Sequence, residues 1–276
     1  MAAHVYFTAK HKFKQLNLFC YNLFVDKVYL SVVIPSYNEF ANLRKGVLDK
    51  IEHFLERQSY SYEVIIVDDG STDGSLEFAE KFCRENPKFK IFKKEHLGKA
   101  GAVTAGMLKA VGELRLFTDM DQAAPIDEVN KLIPFVKKGF DIVIGSRSSH
   151  REGAPLTRQF ISVSAIILRK ILVGLTEISD TQCGFKLFTG SSSDKLFNKM
   201  HELHNGFHKI KGSSVTAGFD VELLYLAKKE GYKIKEVPVD WLYVETRRVS
   251  PVSDSINGFL DFIRIGLNRL TGKYNK

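Results

Sequence analysis

The sequence predicts an α/β domain with a mostly parallel central sheet and helices on both faces. Two observations carry this. Short apolar runs recur through the first half of the chain, as strands buried on both faces require. Segments of helical period separate them, and Pro, Gly or Asp closes most runs, the pattern of repeated strand–helix units.

The elements follow in order. Residues 30–34 (Leu30, Ser31, Val32, Val33, Ile34) form the first run, ended by Pro35. Residues 43–57 have helical spacing. Residues 63–67 make a second buried strand, stopped by Asp68, Asp69 and Gly70. Residues 75–85 read as a helix, 90–92 as a short strand, and 99–111 as a helix rich in small residues. Residues 114–117 run as a strand into Asp119, Met120 and Asp121, and residues 141–144 form a strand ended by Gly145. The second half is less regular. Residues 157–173 are an apolar helix candidate carrying Arg158, Arg169 and Lys170. Residues 219–230 read as a helix closed by Gly231, and residues 233–239 alternate like a strand. Residues 255–270 are a last helix, apolar at Phe259, Leu260, Phe262, Ile263, Leu267 and Leu270, with Arg264, Asn268 and Arg269 on its polar side.

Composition narrows the function. The 276 residues are 44% hydrophobic, enough for one large core, and no linker demands a second independent domain. A net charge of +8 favours an anionic partner. No concentrated basic stripe or binding motif accompanies it, so nucleic acid is not the expected partner. Three widely spaced cysteines (Cys20, Cys83, Cys183) make neither a disulfide framework nor a zinc site, and a reducing cytosolic setting is expected. No apolar run reaches the roughly 18 residues of a membrane span. Asn17 and Asn22 interrupt the apolar residues 16–25, and no small-residue cleavage site follows, so no signal peptide is expected. Leu16, Phe19, Cys20, Leu23 and Phe24 recur at helical spacing after Lys10, Lys12 and Lys14. That amphipathic pattern suits a membrane surface or packing on the domain.

Open α/β sheets bind ligands beyond the carboxyl ends of their strands. Here three such ends are polar: Pro35-Ser36-Tyr37-Asn38-Glu39, then Asp68-Asp69-Gly70-Ser71-Thr72-Asp73, then Asp119-Met120-Asp121. Carboxylates gathered on one edge repel unless a cation or hydrogen-bond donors satisfy them. A hard divalent ion does so and can bridge a diphosphate. Asp119 and Asp121, two apart, can turn toward one site, and Asp68 and Asp69 can accept hydrogen bonds from a base or ribose. Any one fragment alone is common in turns and helix caps. His201, His204 and His208 recur without a Cys or carboxylate constellation and read as surface histidines.

These motifs, with Gly98-Lys99-Ala100-Gly101-Ala102, resemble the family-2 glycosyltransferases of the GT-A fold from about residue 29 to residue 245. Residues 180–188 (Asp180-Thr181-Gln182-Cys183-Gly184-Phe185-Lys186-Leu187-Phe188) narrow the resemblance to the dolichyl-phosphate β-glucosyltransferases, with polyprenyl-phosphate mannose synthases as near relatives. The resemblance implies an inverting hexosyl transfer, with glucose from UDP-glucose the favoured donor, onto a polyprenyl or dolichyl phosphate. It implies that Pro35, Tyr37, Glu39, Asp68 and Lys99 line the nucleotide pocket, with Asp69 and Met120 beside them. Asp119 would face the ribose and metal, and Asp121 would hold Mg²⁺ or Mn²⁺. The mannose synthases carry a Gln two residues past the second Asp. Here Ala123 stands there and Gln122 comes one residue early, so the third metal ligand is unassigned.

On the acceptor side the resemblance points to Arg147, Arg158 and Ser162, the last two on one helix face. Arg247 and Arg248, in a loop after Trp241, are phosphate candidates because a guanidinium donates two parallel hydrogen bonds. A phosphate acceptor needs little help from a base; a hydroxyl acceptor would need one, and Asp180 is the candidate. Residues 1–28 are expected to be an amphipathic segment, 29–245 the GT-A domain, and 246–276 an acceptor loop with an amphipathic helix. Peripheral attachment to the cytoplasmic face of a membrane follows, directly, as a homo-oligomer, or through a separate membrane protein. The rivals are another donor (GDP-mannose or UDP-GlcNAc) or a soluble or polysaccharide hydroxyl acceptor, and an inactive sugar-nucleotide-binding module. The intact Asp119 and Asp121 pair argues against the last.

Overall fold

The computed structural model describes residues 27–147, 170–208, 217–242 and 251–275. Among them, seven strands form one sheet in the order β3-β2-β1-β4-β6-β5-β7. The strands are β1 (Leu30–Ser36), β2 (Tyr62–Asp68), β3 (Phe89–Lys93), β4 (Leu114–Thr118), β5 (Ile142–Arg147), β6 (Phe185–Thr189) and β7 (Ile234–Val239). All neighbours are parallel except β6, which runs antiparallel to both β4 and β5. The sheet is therefore mostly parallel, as the apolar runs require.

Alternation along the strands divides the core in two. Leu30, Val32, Ile34, Val64, Ile66, Leu116, Phe185 and Leu187 face one layer. Helices α2 (Val47–Glu56), α3 (Ser75–Glu85) and α5 (Val129–Lys137) cover it. Val33, Ile65, Val67, Phe117, Ile142, Ile144 and Phe188 face the other. Helices α4 (Gly98–Lys109), α6 (Gly190–Leu203), α7 (Ala217–Lys229) and α8 (Pro251–Leu270) lie there. Helix α4 comes so close to the sheet that a Cβ on Gly106 would stand 2.4 Å from Val33 Cγ1 and 2.9 Å from Val67 Cγ2.

Two sequence expectations need correction, and the structure adds three elements. Residues 43–57 are not one helix. A single turn, α1 (Phe40–Leu43), is followed by a break at Gly46, whose φ of +71° ends helical continuity before α2. Pro35 does not end β1, since it pairs in register with Val67. The ladder to β4 stops at Val33, so proline sits where that side of the strand is already an edge. Strand β6 and helix α6 were not foreseen. Lys186 interrupts the apolar signal of β6, and Gly190-Ser191-Ser192-Ser193 reads as a loop although it opens a helix. Thr189 caps that helix by accepting a hydrogen bond from Ser192 N–H at 3.3 Å. Helix α5 was likewise missed. Of the candidate helix at 157–173, only residues 170–173 are described, and they are helical.

The Gly106 contact makes a test. Gly106→Ala forces a methyl into Val33 and Val67, so unfolding stability should fall by about 1–3 kcal/mol. The urea midpoint should drop with an unchanged m-value.

Candidate active site

The order of the sheet reverses at β1. Strands β2 and β3 lie on one side and β4 on the other, so a crevice opens between the carboxyl ends of β1 and β4. Three polar strand ends border it.

The loops after β1 and β2 are stitched together. Asn38, at φ +53°, accepts from Thr72 N–H at 2.7 Å, and its own N–H donates to Ser71 Oγ at 2.9 Å. Asn tolerates this left-handed conformation better than most side chains. Asp68 is 1% exposed. Its Oδ2 accepts from Gly70 and Ser71 N–H at 3.1 and 3.2 Å, while its Oδ1 is buried without a partner among the described residues. A buried carboxylate oxygen left so is costly unless a ligand donates to it. Asp69 differs. Its oxygens accept from Leu97 N–H (2.7 Å), Gly98 N–H (2.9 Å) and His96 Nδ1 (2.7 Å). Burial pushes its carboxyl up against those bonds. Asp69 thus fixes the loop leading into α4, and His96 stacks on Tyr37 at 4.0 Å between ring centres. Glu39 accepts from Asn42 Nδ2 at 2.6 Å.

Beyond β4 the carboxylates crowd. Lys99, at the start of α4, reaches Asp119 Oδ1 at 2.6 Å. Burial opposes the charge on Lys99, yet Asp119, Asp220 and Asp121 hold its pKa above the usual lysine range. Asp121 accepts from Ala123 N–H at 3.0 Å, and burial, with Asp119 adding, pushes its carboxyl up. On the opposite side stands Gly184, just before β6. A Cβ there would lie 2.0 Å from Asp119 Oδ2 and 2.6 Å from its Cγ. Only a residue without a side chain admits the Asp119 carboxylate. Gln122 folds back, its Nε2 donating to Thr118 Oγ1 (3.2 Å) and Asp119 O (2.9 Å). Met120 packs its side chain into the core.

A second charged group lies at the ends of β5 and β7. Arg147 binds Asp180 through Nε–Oδ2 (2.7 Å) and Nη2–Oδ1 (2.8 Å), and its guanidinium carbon sits 5.8 Å from the Trp241 ring centre. Burial raises the Asp180 pKa, but the Arg147 bonds outweigh it and hold the carboxyl below the ordinary range. Glu236 on β7 orients the loop by accepting from Ser179 and Asp180 N–H at 2.8 and 2.7 Å.

The structure thus gathers Pro35, Tyr37, Glu39, Asp68, Asp69, Lys99, Asp119 and Asp121 along one edge, with Arg147 and Asp180 on the β5 and β7 side. Arg158, Ser162, Arg247, Arg248 and the amphipathic residues 16–24 lie outside the described residues. Gly184, His96, Glu236, Lys186 and Asp220 were not foreseen as site residues. Only the lysine inside an apolar strand offered a local signal. His201 and His208 are exposed, while His204 is half-buried with its Nε2 2.8 Å from the buried Glu222. No cluster of three or more metal-binding side chains occurs among the described residues. The two carboxylates nevertheless fit a cation that completes its shell with water and phosphate oxygens. A separate cavity of about 390 Å³, lined by Tyr29, Tyr60, Ile133 and Pro134, lies at the amino ends of the strands, away from this chemistry.

Comparisons with known proteins identify the family and the fold. A family model described as Glycosyl transferase family 2 matches residues 31–200. The chain is 32% identical to dolichyl-phosphate beta-glucosyltransferase of Saccharomyces cerevisiae, over 90% of this chain and 77% of that protein. The Homo sapiens protein of the same description is 31% identical, over 89% of this chain and 77% of its own. Among solved structures, mannosyl-3-phosphoglycerate synthase from Rubrobacter xylanophilus superposes with a TM-score of 0.62 at 17% identity, over 90% of this chain and 76% of that one. Glucosyl-3-phosphoglycerate synthase from Mycobacterium tuberculosis gives 0.55 at 17% identity, over 86% and 80%. These structural likenesses carry the fold, which is GT-A.

Two predictions follow from the contacts. Gly184→Ala pushes the Asp119 side chain aside but disturbs no backbone. Its melting temperature should stay within a few degrees of wild type, while turnover falls about 100-fold, the scale of a 1 Å misplacement. Asp180 has a depressed folded pKa, so its stabilising effect is complete above its unfolded pKa of about 3.9. That effect is lost as pH falls through the folded value. The stability gap between wild type and Asp180→Asn should be flat from about pH 5 to 7 and shrink below about pH 4, as measured by urea unfolding across that range.

Proposed function

The chain belongs to glycosyl transferase family 2, and from that premise we propose that it transfers glucose from UDP-glucose onto a polyprenyl or dolichyl phosphate, inverting the anomeric carbon. One observation carries this reading furthest. The crevice presents a crowded Asp119–Asp121 pair at one end and, at the other, a buried Asp68 oxygen with no partner among the described residues. The pair suits a diphosphate-bound cation and the lone acceptor suits a nucleobase N–H.

Mg²⁺ or Mn²⁺ held by Asp119 and Asp121 would supply charge neutralisation for the departing nucleoside diphosphate. The remaining work falls to the protein. Lys99 adds positive charge beside Asp119, and the preorganised loops hold these groups in place before substrate arrives. Asp68, anchored by Gly70 and Ser71, orients the base, and Tyr37 on His96 walls the pocket.

The state of Asp180 favours a phosphate acceptor over a hydroxyl. Both its oxygens are engaged by Arg147, and its depressed pKa makes it a poor proton acceptor. A phosphate monoester has a second pKa of about 6 and is already anionic, so it attacks without a base. Arg147 supplies a cation on that side.

A lipid-linked acceptor requires approach to a bilayer. Helix α8 exposes Phe259, Leu260, Leu267 and Leu270 along one side, near Arg264 and Arg269, and Trp241 and Leu242 are exposed beside Arg147. An apolar stripe flanked by cations supports peripheral attachment to the cytoplasmic face. No described helix is long and apolar enough to cross a membrane.

The direct test offers the protein UDP-glucose, GDP-mannose or UDP-GlcNAc with polyprenyl phosphate and Mn²⁺ or Mg²⁺, and reads lipid-linked sugar. Product from UDP-glucose alone is expected; product with a soluble hydroxyl acceptor in place of the lipid would contradict the acceptor assignment. Asp121→Ala should abolish transfer with the thermal unfolding transition intact, and retained metal-dependent turnover in that variant would remove the metal assignment.

A further inference from the structure

Strand β6 carries a lysine where alternation calls for an apolar side chain. Phe185 and Leu187 face one core layer, and Lys186 and Phe188 face the other. Lys186 is fully buried, its ammonium lying 5.2 Å from the Phe117 ring centre. It donates to Asp220 Oδ1 and to Cys183 O, both at 2.6 Å. Desolvating such a pair offsets much of its attraction, and apolar replacements are often as stable. Stability alone is therefore a weak reason for it.

Its position gives a better one. Cys183, whose carbonyl the ammonium grips, immediately precedes Gly184, which presses on the Asp119 carboxylate. Asp220, in the first turn of α7, is the carboxylate that holds the ammonium in that place. Contacts thus run from the core to the crevice: Asp220, Lys186, the Cys183 carbonyl, Gly184 and Asp119.

Resting on the reading of Asp119 and Asp121 as the metal-diphosphate site, we infer that Lys186 and Asp220 are a positioning pair for that site. Lys186 fixes the backbone that seats Gly184 against Asp119. Asp220 anchors the Lys186 ammonium so that this grip is kept. Neither residue touches substrate.

The test compares wild type, Asp220→Asn, and the double variant Lys186→Met with Asp220→Asn, which leaves no lone buried charge. Calorimetry reads UDP binding with and without Mn²⁺, and thermal unfolding is measured alongside. The double variant should melt within a few degrees of wild type yet bind UDP in Mn²⁺ about tenfold more weakly, a size usual for coupling through contact networks. Asp220→Asn should show part of that loss, and UDP binding without Mn²⁺ should be equal in all three. Unchanged Mn²⁺-dependent binding in a well-folded double variant would overturn the positioning role alone. Recovery of wild-type binding whenever stability recovers would reduce the pair to a structural one. Wild type that binds UDP no better with Mn²⁺ would overturn both the pair's role and the site reading beneath it.

Discussion

The placement of one carboxylate governs this site. Asp119 leaves the end of β4, meets Lys99 on one side at 2.6 Å, and lies against the bare Cα of Gly184 on the other. The antiparallel insertion of β6 beside β4 creates that contact, because its register pairs Thr118 with Phe185 and brings Gly184 to Asp119. A fully parallel sheet would carry residue 184 at the far end of its strand. The one strand that breaks the parallel pattern therefore brings residues 180–184 to the carboxylates of β4.

The surrounding charges follow from this crowding. Burial first, and Asp119 after it, push the Asp121 carboxyl up, and the carboxylates around the half-buried Lys99 hold it charged. Such an edge is electrostatically unfinished, and under the proposed function a cation and a diphosphate would complete it together. Elsewhere the same residue type is finished internally. Asp69 is satisfied by loop N–H groups and His96, and Asp180 by Arg147. These four carboxylates thus differ in electrostatic state, separated by what their oxygens touch.

Much of the fold was legible because burial on both faces writes itself into apolar runs such as residues 63–67, and because glycine and acidic turns mark strand ends. What escaped had physical reasons. Lys186 hides β6 by placing a charge in an apolar alternation, and its partner Asp220 lies on a distant helix. The serines that open α6 have turn chemistry that only the Thr189 cap resolves. Gly46 divides a segment whose apolar period continues across the break. In the site, Asp68, Asp119 and Asp121 could be read from strand ends, and Lys99 only from the family resemblance. The role of Gly184 could not, since a glycine shows its purpose only when its neighbour in space is known. Asp69 could be read as acidic and near the edge, but not as turned inward to the α4 loop.

The most direct measurement is a crystal structure of the protein grown with UDP and Mn²⁺. The account predicts the ion coordinated by carboxylate oxygen from Asp121, the diphosphate bridging it beside Lys99, and the uracil N–H directed at Asp68 Oδ1. An ion bound away from Asp119 and Asp121, or a nucleotide lodged outside the β1–β4 crevice, would contradict it.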